Sequence, residues 1–433
     1  IFPDPFHIFS ALDTSPDQPL GLLILGIDEF RHINDLYDRL FGDEVIRTIS
    51  QKLQSMLPAI ASLYRLDGDE FGVIFRGGSR DAVRTFYSAV QDTFSHQQVC
   101  EDKKYYCTLS GGCVFSPEDG SGYLELIKRA NYSMEYAKSK GKNRMFFFSN
   151  EILQHKERSL ELTELLRESI DHGFDGFELY FQPQVFTADG KLKGAEALCR
   201  WSCEKYGAVS PVEFIPLLEE SGLILPAGRW IFEEAVRICA RWLTAASSFT
   251  ISVNLSCLQM EDDNFLDFME TTLQKYQVSP ARIEVELTES YIASNMDVLA
   301  ERFNRIRQMG MSIAMDDFGT GYSSLGILKL APADVVKIDR TFVRDILSSS
   351  FDATFIRFIV ELCHDVGIRV CLEGVETEAE YVAVRSMQPD YIQGFYFGQP
   401  KVCGEAVGDG EGRDAAVAGA LPDVLQQHAA DGA

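Results

Sequence analysis

The sequence has no stretch of about 18 consecutive apolar residues, the length a membrane helix requires, and no N-terminal basic segment leading into an apolar run. Neither a spanning helix nor a secretory leader is expected in this chain. Positive charge is scarce: 40 Lys and Arg stand against 65 Asp and Glu, a formal net charge of −25. That balance argues against a nucleic acid polymer or an anionic membrane as partner. A small anion stays open, because screening over about 8 Å at physiological salt lets the local charges of a cleft decide. The ten cysteines show no CxxC pair and no ligand-like spacing. Several, such as Cys199, Cys257 and Cys371, fall in apolar strand-like runs and are expected to be buried free thiols in a reducing compartment. The Asp-Phe-Gly at 317–319 has no glycine-rich phosphate loop or HRD string with it, which excludes a kinase reading.

What is present is alternation. With 433 residues and 46% hydrophobic content, two domains are expected. In the second, eight short apolar runs (FELYFQP, LKGAEALCRW, FTISVNL, RIEVELT, MSIAMDD, DVVKID, GIRVCLEG and YIQGF) are separated by turn or helical patterns. Alternating buried strands and helices over roughly 230 residues predict a (β/α)₈ TIM-like barrel, whose active sites lie at the C-terminal ends of the strands. Glu196, Asn254, Glu286, Asp316, Lys337 and Glu373 each sit at or near such an end. An isolated Asp or Glu is usually a helix cap or a solvated partner, but that does not explain why so many acids terminate separate strands. Converging on one rim, four carboxylates with Asp317 as a fifth would repel one another unless divalent cations neutralised them. An all-oxygen set favours Mg²⁺, Mn²⁺ or Ca²⁺ over zinc or copper.

Residues 1–150 read as an α+β domain. LGLLILGIDEF is a buried strand, and SLYRLDG and EFGVIFR flank a hairpin at Asp67-Gly68-Asp69-Glu70. A connecting helix over 151–171 leads to the barrel over 172–403, and the Gly-, Ala- and Asp-rich 404–433 is expected to be a disordered tail. The chain starts at Ile1 rather than Met; a cytoplasmic location is expected for it, within a longer parent that carries sensory or membrane segments upstream.

The strings EALCRW, NLS at 254–256, ELTES at 286–290, DDFGTGYSSL at 316–325, KID at 337–339, EGVE at 373–376 and QGFYFGQP at 393–400 together resemble an EAL-type cyclic-di-GMP phosphodiesterase. The resemblance implies hydrolysis of cyclic di-GMP to linear pGpG with two divalent cations, Mg²⁺ or Mn²⁺. It implies that Glu196, Asn254, Glu286 and Asp316 ligate the first cation and that Asp316 and Asp317 reach the second. Lys337 would hold the attacking water or offset phosphate charge, and Glu373 would either ligate the second cation or accept a proton. Arg200, whose guanidinium can form two parallel hydrogen bonds, is a candidate phosphate contact. Gln182 and Gln393 look like the family's base and backbone contacts. Gly319 and Gly321 would let the loop after the aspartates move, with Glu289 steadying it, and the family usually works as homodimers that meet near this loop.

IDEFRHIND, FGDEV, the DGDEF hairpin and AKSKGKN make the first domain resemble a GGDEF diguanylate cyclase domain, related to nucleotidyl cyclase palms. Asn34 and Asp43 then match residues that read guanine, and Asp69 matches a metal-binding acid. Two positions depart from the pattern. Gly26 stands where the family has its principal metal-ligating aspartate, with Asp28 two residues on as a partial substitute, and Asp67 replaces the first glycine of the hairpin. The RxxD inhibitory motif would fall at 58–61, which reads PAIA. The expectation is an impaired cyclase that binds GTP as a regulator of the barrel. A non-catalytic cyclic-di-GMP receptor is the alternative, and a bifunctional enzyme is disfavoured by Gly26.

Overall fold

The computed structural model describes residues 19–30, 33–34, 39–100, 102–243, 249–294, 296–319, 328 and 333–402. Gly321 and the 404–433 tail lie outside them. The chain forms two compact units, Ile1–Glu161 and Leu162–Ala433. The boundary falls inside the helix Asn150–Asp171.

The first unit is built on β1 (Leu20–Ile27), β2 (Ala61–Arg65), β3 (Glu70–Arg76), β4 (Gln98–Cys100), β5 (Lys103–Tyr105), β6 (Leu109–Ser116) and β7 (Met145–Phe147). Its main sheet runs β2-β3-β1-β6-β7, while β4 and β5 pair separately. Because β1 is central, its successive residues feed opposite cores. Leu23 and Leu25 join one cluster with Val45 and Phe86, and Leu22 and Ile24 join another with Ala130 and Met134. The helix Tyr123–Ser139 comes so close to β6 that a Cβ on Gly112 would lie 2.0 Å from the Ala130 carbonyl oxygen.

The second unit contains β8 (Phe177–Phe186), β9 (Leu192–Cys203), β10 (Gly207–Val209), β11 (Thr250–Asn254), β12 (Ile283–Thr288), β13 (Ser312–Phe318), β14 (Val335–Ile338), β15 (Arg369–Leu372), β16 (Tyr391–Gln393) and β17 (Lys401–Val402). The ring β8-β9-β11-β12-β13-β14-β15-β16 closes on itself through β16–β8 and β8–β9 pairing. Its strands are mutually parallel except β8, which runs antiparallel to both neighbours. This refines the TIM-like expectation, and the cause is the short 187–191 connection. So few residues make a hairpin, whereas a parallel crossover needs a dozen or more. Helices such as Ile224–Trp242 and Ser350–Asp365 alternate with the strands and bury apolar faces against them. Among the described residues, no helix is long and apolar enough to cross a membrane.

Inside the ring, alternation stacks two layers of inward side chains. Ser252, Glu284, Ala314, Val335, Cys371 and Tyr391 each precede by two residues a candidate site residue: Asn254, Glu286, Asp316, Lys337, Glu373 and Gln393. Ala314, Val335, Cys371 and Tyr391 make a small apolar cluster, and Ser252 and Glu284 are the buried polar part of the same layer.

Candidate functional site

The site is organised around Lys337, which has no solvent exposure. Its Nζ lies 2.5 Å from Glu286 Oε2, 2.7 Å from Glu373 Oε1, and 3.3 Å from both Glu196 Oε2 and Asp316 Oδ1. β14 is flanked by β13, which carries Asp316, and by β15, which Glu373 directly follows, so short neighbouring strands bring these side chains together. One ammonium cannot balance four carboxylates, and the electrostatics record this. Burial lowers the Lys337 affinity for its proton, but Asp316, Glu196, Glu286 and Glu373 outweigh it and hold that group well above its ordinary value. Glu286 is driven well above the ordinary carboxylate range, first by burial and then by the charge of Glu196. Burial, partly offset by Lys337, also raises Asp316, and it raises Glu373 to about 8.

Glu196 is the exception. Burial would raise it, but Lys337 and hydrogen bonds from Gln393 and Asn254 hold it below the usual carboxylate value. Asn254 Nδ2 donates to Glu196 Oε1 at 2.7 Å, and Gln393 Nε2 donates to Glu196 Oε2 at 2.6 Å. Gln393 Nε2 also donates to Gln182 Oε1 at 3.1 Å. Gln182 and Gln393 are thus buried supports of Glu196, tied to one another inside the barrel.

Asp316 and Asp317 reach the rim through a β-bulge. Between Met315 and Phe318 the pairing of β13 with β14 shifts, and Asp317 takes a left-handed φ of 55°. A bulge re-aims side chains that plain alternation would send to opposite faces. Asp317 as a whole residue is exposed, but its carboxyl is partly desolvated at the rim, and that desolvation and then the charge of Asp316 raise it to about 6. Gly319 follows with φ +98°, and its N–H donates to Oε2 of buried Glu289 at 2.9 Å. Arg200 stands apart from the acids, four residues beyond Glu196 on β9, with its guanidinium 5.4 Å from the Tyr180 ring centroid.

The donor set fits a divalent cation. Glu196, Glu286 and Asp316 each offer a carboxylate oxygen, and these atoms lie within 4.8 Å of one another. Oε1 of fully buried Glu286 has no hydrogen-bond partner, a costly arrangement for a group that accepts so readily.

In the first unit, Asn34 is half-buried, with Oδ1 against Gly42, while Asp43 is exposed and Asp69 is half-buried. Asp28, two residues from Gly26, is engaged by protein donors. Its carboxylate accepts from Thr108 Oγ1 at 2.6 Å, Ser110 Oγ at 2.7 Å and the Asn143 N–H at 3.1 Å, so it is committed to holding loops together. A Cβ on Gly26 would lie 2.9 Å from Lys138 Nζ, which puts an ammonium beside the missing carboxylate's place. At the hairpin it is Gly68, not Asp67, that takes the left-handed position, with φ +55°.

Residues 164–400 match the EAL domain family, and residues 7–144 match the family described as diguanylate cyclase, GGDEF domain. The chain belongs to the EAL family. Cyclic di-GMP phosphodiesterase PdeR of Escherichia coli K12 is 32% identical to this EAL protein over 90% of the chain and 58% of PdeR. MucR of Pseudomonas aeruginosa, a bifunctional diguanylate cyclase/cyclic di-GMP phosphodiesterase, is 31% identical over 89% of the chain and 56% of its own length. The chain thus spans about half the length of the curated relatives it matches. Among solved structures, the PaMucR phosphodiesterase in its c-di-GMP complex superposes with TM-score 0.53 at 35% identity, over 56% of this chain and 98% of that one. The Vibrio cholerae LapD S helix-GGDEF-EAL structure shares the fold at TM-score 0.63 and 18% identity, over 90% of this chain and 92% of that one.

Reasoning from sequence missed Gln184, Lys193, Ser252 and Glu284 in the barrel interior. Spacing by two from Gln182, Asn254 and Glu286 marks three of them as inward-facing. Lys193 carried no such signal, since a bulge sets its direction.

Proposed function

We propose that the EAL domain hydrolyses cyclic di-GMP to linear pGpG with two divalent cations, Mg²⁺ or Mn²⁺, in the cytoplasm. The observation that carries this reading is the Glu196–Glu286–Asp316 cluster with its unpartnered buried Glu286 oxygen. Glu196, Asn254, Glu286 and Asp316 would hold one cation, and Asp316, Asp317 and Glu373 the other. Bound there, the cations would lower the pKa of a water and stabilise charge on the phosphoryl oxygens. Water would add to phosphorus as the P–O3′ bond breaks, the water giving up one proton and the 3′-oxygen taking one up, which leaves a 5′-phosphate and a 3′-hydroxyl. Lys337 keeps the acids gathered and offers its ammonium to the water or the phosphate, and Arg200 reaches the second phosphate from the rim. No acid of the expected set is missing, which disfavours a silent receptor.

The GGDEF domain is read as a regulator that binds GTP through Asn34, Asp43 and Asp69 without cyclising it. Gly26 supplies no ligand, and Asp28 is engaged elsewhere. Homodimerisation near the loop after Asp317 is part of the same reading. The test is incubation with cyclic di-GMP and Mg²⁺ or Mn²⁺, followed by chromatography. Release of pGpG, abolished by EDTA and by Glu196→Ala, is expected. Full turnover by Glu196→Ala would sink the mechanism.

A further inference from the structure

Beneath the acids, the barrel buries an ion pair that the proposed reaction does not use. Lys193 and Glu284 are 5% and 2% exposed, with Nζ 2.8 Å from Oε1. Lys193 arrives there by a register break: Gln184 pairs with Gly194 and Val185 with Leu192, so Lys193 is the extra residue of a bulge in β9. Gly194, at the position two before Glu196, brings no side chain to this layer. Ser252 Oγ donates to the same Glu284 oxygen at 2.9 Å.

From this pair a directed chain of hydrogen bonds leads up to the acids. Lys193 Nζ donates to Gln184 Oε1 at 2.9 Å, and Gln184 Nε2 donates to Gln393 Oε1 at 2.9 Å. Gln393 Nε2 then donates to Glu196 Oε2 at 2.6 Å. The donor inventory dictates the direction. A lysine can only donate and a carboxylate can only accept, so each amide between them must turn its oxygen toward Lys193 and its NH₂ toward Glu196. With a cation of fixed sign at one end and an anion at the other, neither amide can flip without facing like to like.

We infer that Lys193 is a positioning residue for the cation site, fixing the polarity of the Gln184–Gln393 amide chain so that Glu196 always meets a donor on Oε2. Glu196 is thereby held in one rotamer with its remaining acceptor capacity facing Glu286 and Asp316. The inference rests on the reading that Glu196 holds a divalent cation. A purely structural role, in which Lys193 only neutralises Glu284, makes a different prediction, because the amide chain would then be irrelevant.

Two variants separate these roles in the full chain. Lys193→Met removes the donor and also strands Glu284. Gln184→Met is close in size, leaves the Lys193–Glu284 pair intact, and cuts the chain. Mn²⁺ is titrated calorimetrically, and melting without Mn²⁺ confirms folding. Both variants are expected to bind Mn²⁺ about 10-fold more weakly than wild type, as loss of outer-shell partners does. Turnover should fall at fixed Mn²⁺ and recover at high Mn²⁺, with KM for cyclic di-GMP unchanged. A folded Gln184→Met chain with wild-type Mn²⁺ affinity overturns the inference while leaving the cation site standing. Failure of the wild-type chain to bind Mn²⁺ would overturn both.

Discussion

Lys337 Nζ and Glu286 Oε2 lie 2.5 Å apart with no solvent exposure of either side chain. Glu286 also carries the unpartnered oxygen, so only one of its two carboxylate oxygens is engaged by the ammonium. Replacing Lys337 by Met should leave four crowded acids without their counter-charge. The expected loss is about 3 kcal/mol of stability, as when one member of a buried pair is removed. Urea unfolding in EDTA reads it, and saturating Mn²⁺ should narrow the gap by neutralising the same acids.

Gly319 combines a left-handed φ of +98° with a place where a Cβ would lie 2.5 Å from Phe342 Cε2. Gly319→Ala should therefore displace the end of β13 and with it Asp317. Strain of about 1–3 kcal/mol is expected, together with a loss of turnover at saturating substrate. Steady-state kinetics identical to wild type would mean that the strand end is not under that constraint.

Glu289→Gln removes the charge facing the Gly319 N–H while keeping an oxygen acceptor. The hydrogen bond at 2.9 Å should persist in weakened form, since charged acceptors bind about twice as strongly as neutral ones. Turnover should fall less than for Glu289→Ala, which removes the acceptor altogether. Equal activity of the two variants would mean that the Glu289 contact to Gly319 does not matter for turnover.

Glu70, at the start of β3, has its carboxyl raised first by burial, with Lys138 pulling it down and Asp69 and Asp67 adding to the rise. A raised acid binds its proton more tightly folded than unfolded. Its contribution is therefore fully present below the ordinary value of 4.5 and is lost as pH rises through the folded value. Glu70→Gln should flatten this pH dependence and leave the chain more stable than wild type at pH 7. Thermal melting from pH 4.5 to pH 7 tests the sign.

The upper layer of the barrel could be read directly from the sequence because strand-end position and residue type coincide: Glu286, Asp316, Lys337 and Glu373 follow apolar runs, and parallel strands can gather them only at one rim. What escaped depends on breaks in that regularity. The direction of β8 turns on the length of one connection, which an apolar run does not encode. Lys193 and Asp317 owe their directions to bulges, where one extra residue defeats the period of two. The surroundings of Asp28 were hidden for a related reason. Its parity with Gly26 was right, but Thr108, Ser110 and Asn143, distant in sequence, had already claimed its oxygens.

The inversion of β8 also decides where the polypeptide comes in. A wholly parallel barrel takes delivery of its first strand at the floor, away from the chemistry. Here Phe177, the first residue of β8, is registered with Trp201, just past Arg200 on β9, whereas the last, Phe186, is registered with Tyr391 in the deeper layer. Leu162 and Leu166 pack in the same cluster as Phe177 and Trp201. The segment upstream of Phe177 therefore joins the barrel at its mouth, beside Arg200, and not at its base.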